Sequence, residues 1–123
     1  MNTSTKTSEQ APEVEAVKEI GEAEFDQAVL KANMPAVLDF YTADGEACKA
    51  WAPRFGAVAE KFAGKALFLR ILKAKSAGLA QKLAVTETPT LVFFKAGKEV
   101  GERLKGAAIQ RTALKAAVEA MLK

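Results

Sequence analysis

The chain has 123 residues, half of them apolar, which is typical of a single globular domain with a sizeable core. One cysteine and no histidine exclude an intramolecular disulfide, a zinc site of about four protein ligands, and catalysis through histidine. We expect neither a metal site nor another cofactor. The formal net charge of +3 is unevenly spread, because residues 1–60 hold 5 Lys/Arg against 11 Asp/Glu and residues 61–123 hold 13 against 4.

A basic half is one feature of nucleic-acid-binding proteins. In this chain the Lys and Arg residues stand singly between apolar positions, as on solvated surfaces, and no basic cluster is interleaved with aromatic residues that would stack on bases. We therefore expect no nucleic-acid partner. No apolar run approaches the roughly 20 residues that span a membrane, and residues 1–12 lack the apolar stretch of a signal peptide. We expect no membrane partner and a cytoplasmic protein.

The predicted elements begin after a polar tail. Residues 1–13 are expected to be disordered, and the folded domain is expected to cover residues 14–123. Weak alternation from Val14 to Ile20 favours a short edge strand, and Glu22 to Ala32 has apolar residues at helical spacing. The almost continuous apolar run from Ala36 to Tyr41 is typical of a central strand buried on both faces.

The middle of the chain continues this alternation. A helix is predicted from about Ala47 to Phe62, with an apolar stripe and a kink at Pro53, which lacks an N–H group. Ala66 to Leu72 is predicted to be a second buried strand, and Ser76 is a candidate N-cap for a short helix through Leu83.

The C-terminal third is predicted to form a hairpin and a helix. Strands are expected at Thr88–Phe94 and Glu99–Leu104, with a turn at Gly97 between them, and an amphipathic helix is expected over Ile109–Leu122. The order β-α-β-α-β-α-β-β-α predicts an α/β fold, with a mixed central β-sheet flanked by helices on both faces.

Several short stretches resemble the thioredoxin family at matching spacing, and the resemblance covers about residues 14–123. It identifies a strand leading into an active site, a second redox cysteine followed by a lysine and a helix-kinking proline, a loop whose proline is cis, a hairpin, and a glycine after the last strand. These stretches are, in chain order, Val37–Tyr41, Cys48–Lys49 with Ala52–Pro53, Thr88–Pro89–Thr90, Phe94–Glu99, and Gly106. The resemblance implies the thioredoxin fold.

The chain departs from this family where the redox chemistry takes place. The family has Trp-Cys-Gly-Pro-Cys where this chain has Asp44-Gly45-Glu46-Ala47-Cys48. The resemblance makes Cys48 the resolving cysteine and places Gly45 where the attacking cysteine would be. Dithiol–disulfide exchange needs one thiolate to attack and a second thiol to release the product. We therefore predict that family-style reduction of protein disulfides is absent.

Three interpretations of Cys48 remain open. It is a small buried apolar residue, as free cysteines often are, or a single thiol that forms mixed disulfides with a partner or a small thiol. The third interpretation is an iron–sulfur ligand shared across a dimer, although related monothiol folds use the outer cysteine for that purpose.

Asp39 lies in an otherwise apolar strand. The resemblance implies that it is buried behind the cysteine position and helps to move a proton, and Arg70 falls where the family often has a lysine. Burial alone would raise the pKa of Asp39, whereas a pair with Arg70 is expected to keep it charged. Asp39 and Arg70 are either this proton-handling pair or a remnant that only balances charge in the core.

Thr88-Pro89 points to polypeptide binding. Thioredoxins bind extended peptides through main-chain hydrogen bonds at the residue before the cis-proline, which is a form of strand addition. This surface does not require cysteine at position 45. The alternative is that Pro89 only shapes the sheet. The expected binding residues are Asp44, Glu46, Ala47, Thr88, Pro89 and Gly106.

The leading functional hypothesis is a non-catalytic or monothiol thioredoxin-like module that binds polypeptide clients or a thiol-containing protein, most simply as a monomer. It is similar in this respect to chaperone-type thioredoxin-like proteins that keep only the second cysteine. The alternative is a thiol–disulfide oxidoreductase, acting in redox homeostasis through Cys48 and an external thiol. A third possibility is an active-site loop that was altered experimentally.

Overall fold

The computed structural model describes residues 16–123, so the expected disorder of residues 1–13 lies outside the described residues. Six strands form one sheet in this part of the chain. Their bounds are β1 Val17–Ile20, β2 Ala36–Tyr41, β3 Leu67–Leu72, β4 Thr90–Lys95, β5 Lys98–Glu99 and β6 Leu104–Lys105.

The sheet is mixed, as predicted. Its strand order is β1-β3-β2-β4-β5, and β6 also pairs with β4. Strands β1 and β2 are both parallel to β3, whereas β4 is antiparallel to β2 and to both β5 and β6. The apolar run of β2 lies at the centre, where a strand covered on both faces needs apolar residues throughout. Its carboxyl end leads into the candidate site.

Helices cover both faces of the sheet, which confirms the predicted architecture. The α-helices are α1 (Glu46–Lys61), α2 (Ala77–Lys82) and α3 (Arg111–Met121). One core cluster packs α1 and α3 against one sheet face, and a second packs α2 and the helical segment after β1 against the other. Helix α1 runs through Pro53 as one element, and its buried stripe of Trp51, Phe55 and Val58 holds it against the sheet.

Two elements differ from the sequence prediction. The segment after β1 is a 3₁₀ turn (Glu22–Glu24) followed by a π-helical turn (Asp26–Leu30), where a regular helix was expected. Gly21 N–H donates to Glu24 Oε1 at 2.9 Å, and this bond tightens the first turn. The expected strand over residues 99–104 is split into β5 and β6, because Gly101 adopts a φ of +69° that breaks the extended backbone.

The short helix α2 begins where the sequence indicated. A 3₁₀ turn (Lys73–Lys75) joins β3 to it, and Ser76 is the N-cap residue. The Ser76 side chain makes no capping hydrogen bond, so this residue marks the start of the helix without the predicted side-chain cap.

Candidate functional site

The candidate site lies between the end of β2 and the start of α1. Gly45 is the N-cap residue of α1, with extended backbone angles (φ −77°, ψ 133°) that any residue can adopt. Its N–H donates to Thr42 O at 3.2 Å, and its carbonyl accepts from Lys49 N–H at 3.0 Å. The backbone at this position therefore does not require glycine.

Cys48 lies in the first turn of α1, and its side chain faces inward. The residue is 3% exposed, and its Sγ accepts a hydrogen bond from Thr42 N–H at 3.3 Å. A Cβ atom built on Gly45 would lie 3.6 Å from this sulfur, at an ordinary contact distance. Because an S–S bond is about 2.05 Å long, a sulfur on that Cβ would reach Cys48 with small adjustments. Positions 45 and 48 thus have the geometry of a dithiol pair with one thiol absent.

The proline loop lies beside the end of β2, next to the start of α1. The Thr88–Pro89 peptide bond is cis, Pro89 is buried and Thr88 is half-buried. Thr42 Oγ1 lies 2.7 Å from Thr88 Oγ1, a hydrogen bond between residues 46 positions apart. On the other side of the loop, Gly106 N–H donates to Pro89 O at 3.0 Å, with Gly106 at a φ of +91°.

We use "the rim" for the surface formed by residues 42–48, 88–89 and 106. Two acidic side chains, Asp44 and Glu46, are exposed on either side of Gly45, whereas Gly45 and Ala47 are half-buried. The structure therefore brings the expected binding residues to one side of the molecule. Among these residues, Asp44 and Glu46 contribute two exposed carboxylates.

Asp39 and Arg70 form the expected pair below the rim. They are register partners on β2 and β3, and Asp39 Oδ2 lies 3.4 Å from Arg70 Nε. Asp39 is fully buried, and neither of its carboxylate oxygens has a hydrogen-bond partner among the described residues. No hydrogen bond or ion pair of residues 16–123 links this pair directly to Cys48.

The pair was expected to keep Asp39 charged, but Arg70 offsets the effect of burial only in part. Burial raises the pKa of Asp39 to about 7, although the nearby Arg70 charge lowers it in part. Arg70 offsets only part of the effect of burial, because its side chain is 22% exposed to water. The carboxyl group therefore keeps its proton to a much higher pH than an exposed aspartate does.

Two residues that sequence reasoning did not single out complete this cluster. The Arg70 guanidinium lies over the Tyr41 ring, 3.8 Å from its centroid, and Tyr41 Oη donates to Glu19 Oε2 at 2.8 Å. Burial and the Glu19 carboxylate raise the pKa of Tyr41 to about 12, so its hydroxyl stays protonated as a donor. An available signal was the period-two spacing that puts Tyr41 on the same strand face as Asp39.

Thr42 was also missed, although it contacts both Cys48 and Thr88. Its position directly after β2 was visible in the sequence, but its partner in the proline loop was not.

Among residues 16–123, no three His, Cys, Asp or Glu side chains lie close enough together to hold a metal ion. No helix in that range is long and apolar enough to cross a membrane.

Comparison with known proteins agrees with this geometry. The thioredoxin family model matches residues 16–120. Thioredoxin X of Arabidopsis thaliana, described as chloroplastic, is 32% identical over 107 residues, which cover 86% of this chain but only 58% of that protein. Thioredoxin-2 of Saccharomyces cerevisiae is 35% identical over 78 residues, or 63% of this chain and 74% of that protein.

A solved structure extends the likeness to the fold. The crystal structure of thioredoxin F from spinach chloroplast has a TM-score of 0.78 to this chain, with 28% sequence identity over 87% of each chain. The likeness covers most of both molecules and so includes the sheet and the helices on both of its faces.

Proposed function

The chain belongs to the thioredoxin family, and we propose that it is a member that binds polypeptides and has lost dithiol–disulfide exchange. One observation carries this proposal. A Cβ atom built on Gly45 would lie 3.6 Å from Cys48 Sγ, so position 45 is where an attacking thiol would be. The sequence holds no second cysteine. Without an attacking thiol and a resolving thiol in one site, the two-step exchange cannot be completed by this chain alone.

Main-chain groups at the rim support polypeptide binding. The Thr88 N–H and C=O groups have no hydrogen-bond partner within residues 16–123, and Thr88 is half-buried beside the cis-proline. Unpaired main-chain groups at the end of a strand are what an extended peptide needs for strand addition. Their position does not depend on the residue at 45, so binding remains where exchange is lost.

Binding is tested with a fluorescently labelled, permanently unfolded polypeptide, such as reduced and carboxymethylated α-lactalbumin, by anisotropy. Ala47→Lys adds a long side chain to the rim, whereas the matched Ala63→Lys adds it to an exposed position just after α1. We expect Ala47→Lys to weaken binding at least fivefold and Ala63→Lys to leave it unchanged. No detectable binding by the unaltered protein, or equal effects of both substitutions, would contradict the proposal.

A second candidate function is one-thiol exchange through Cys48. It is favoured by the place of the thiol, which contacts Thr42 N–H at the rim and belongs to neither core cluster. The Cys48 thiolate would attack a disulfide, forming a mixed disulfide and releasing one thiolate. An external thiol would then attack the mixed disulfide and regenerate Cys48.

This candidate is tested by incubating the protein with oxidised glutathione and measuring the intact mass. A glutathione adduct that forms under native conditions supports this candidate, and an adduct that forms only after denaturation removes it.

A further inference from the structure

The loop after β2 and the cis-proline loop are joined by one pair of hydroxyl groups. Thr42 Oγ1 and Thr88 Oγ1 lie 2.7 Å apart, and both residues are half-buried. Within residues 16–123, this is the one side-chain hydrogen bond between the two loops. Either hydroxyl can donate, so the bond needs no charged group and persists across the ordinary pH range.

The same threonine contacts the thiol through its main chain. Thr42 N–H donates to Cys48 Sγ at 3.3 Å, while the Thr42 side chain holds the proline loop. Position 45 contributes no side chain that could cover the sulfur, yet Cys48 is only 3% exposed. The Thr42 main chain therefore contacts the sulfur directly, so the position of this loop affects how well the sulfur is covered.

We propose that the Thr42–Thr88 hydroxyl pair is a latch that keeps this loop closed over Cys48, which makes Thr42 a positioning residue for the thiol. When the hydroxyl bond breaks, the loop can move away from the sulfur, and the thiol becomes accessible to disulfides and thiol reagents. This inference goes beyond the proposed function, because it concerns access to Cys48 and holds whether or not the rim binds polypeptides.

The test measures how fast Cys48 reacts with the aromatic disulfide 5,5′-dithiobis(2-nitrobenzoate) under native conditions. Thr42→Val and Thr88→Val each remove one hydroxyl with little change in shape, and Thr42→Val keeps the main-chain N–H. We expect each variant to react about three- to tenfold faster, the effect of losing one neutral hydrogen bond. The double variant should react no faster than the faster single variant, because the same bond is lost in both.

Thr90→Val is the matched control. It removes the Thr90 Oγ1 bond to Glu87 O, 2.7 Å long, from the same proline loop without touching Thr42. It should react at the unaltered rate, as should Thr42→Ser, which keeps the hydroxyl. Unchanged rates in both valine variants, or equal acceleration in Thr90→Val, would overturn the proposal.

Low denaturant separates local from global opening. Reaction through global unfolding accelerates steeply with denaturant, whereas reaction through movement of one loop is almost insensitive to it. We expect insensitivity below the unfolding transition in the unaltered protein and in both valine variants. A steep dependence would show that Cys48 is reached only by unfolding, and the latch would be rejected.

Discussion

The rim and the buried Asp39–Arg70 pair below it are held by different forces. The rim is fixed by main-chain and hydroxyl hydrogen bonds, such as Thr42 N–H to Cys48 Sγ and Gly106 N–H to Pro89 O. The pair places a fully buried carboxyl group 3.4 Å from an arginine without a hydrogen bond. Gly45 leaves the site without an attacking thiol, and its extended backbone accepts other residues. Changes to the pair, in contrast, should alter stability strongly.

The largest effect is expected from Asp39→Asn. The pKa of Asp39 is about 7 in the folded state against an ordinary value of 3.8, so the folded state holds this proton more tightly. The contribution of Asp39 to stability is therefore greatest below pH 3.8 and is lost as the pH rises through 7. The full loss is about 4 kcal/mol at about 1.4 kcal/mol per pKa unit.

The asparagine variant carries no such proton at this position, so its stability should lack this dependence. In urea unfolding, the free energy of unfolding of the variant relative to the unaltered protein should rise by about 3 kcal/mol between pH 5 and pH 8. A stability difference between the two proteins that stays the same from pH 5 to pH 8 would mean that the buried carboxyl group does not titrate in this range.

The second largest effect is expected from Arg70→Met, which keeps the apolar stem and removes the charge. Because the Arg70 charge lowers the pKa of Asp39, its loss should raise that pKa above 7. Stability at pH 8 should fall by about 1 to 3 kcal/mol, since an ionised carboxylate is left without its cation. Carboxyl ¹³C titration by NMR measures the pKa directly, and Arg70→Lys is the control. An unchanged Asp39 pKa would show that the pair is not coupled.

The smallest effect is expected from Tyr41→Phe. This substitution keeps the ring beneath Arg70 and removes only the 2.8 Å bond from Tyr41 Oη to Glu19. Stability should fall by about 0.5 to 1.5 kcal/mol in urea unfolding, the usual contribution of one such bond. The reaction rate of Cys48 should not change, because this bond does not reach the rim. A faster Cys48 reaction would show that the interior cluster and the rim are coupled.

The sequence predicted elements well where a local pattern decides the outcome. Strand β2 has the predicted bounds, Ala36–Tyr41, because a continuous apolar run has one stable place at the centre of a covered sheet. Helix α1 begins and ends within one residue of its prediction, since its apolar stripe repeats at helical spacing. The π-helical turn and the break at Gly101 were missed, because they depend on local backbone geometry that the apolar pattern does not encode.

The candidate site was only partly predictable for a related reason. The resemblance located Gly45, Cys48 and the Thr88–Pro89 loop, but the Thr42–Thr88 bond joins residues 46 positions apart and depends on how two loops meet. The Asp39–Arg70 pair was expected, but whether the carboxyl group stays charged depends on burial, and burial outweighed the arginine. Residue identity suggested the contact, and the packed structure was needed to decide between opposing effects.

The most direct test of the central claim is insulin reduction, followed by turbidity with dithiothreitol as the reductant, for the unaltered protein and for Gly45→Cys. The account predicts that the unaltered protein does not exceed the rate of the reductant alone. It predicts that Gly45→Cys forms a disulfide with Cys48 and accelerates reduction, because the 3.6 Å spacing and extended backbone accept a cysteine without strain. Clear turnover by the unaltered protein would contradict the account.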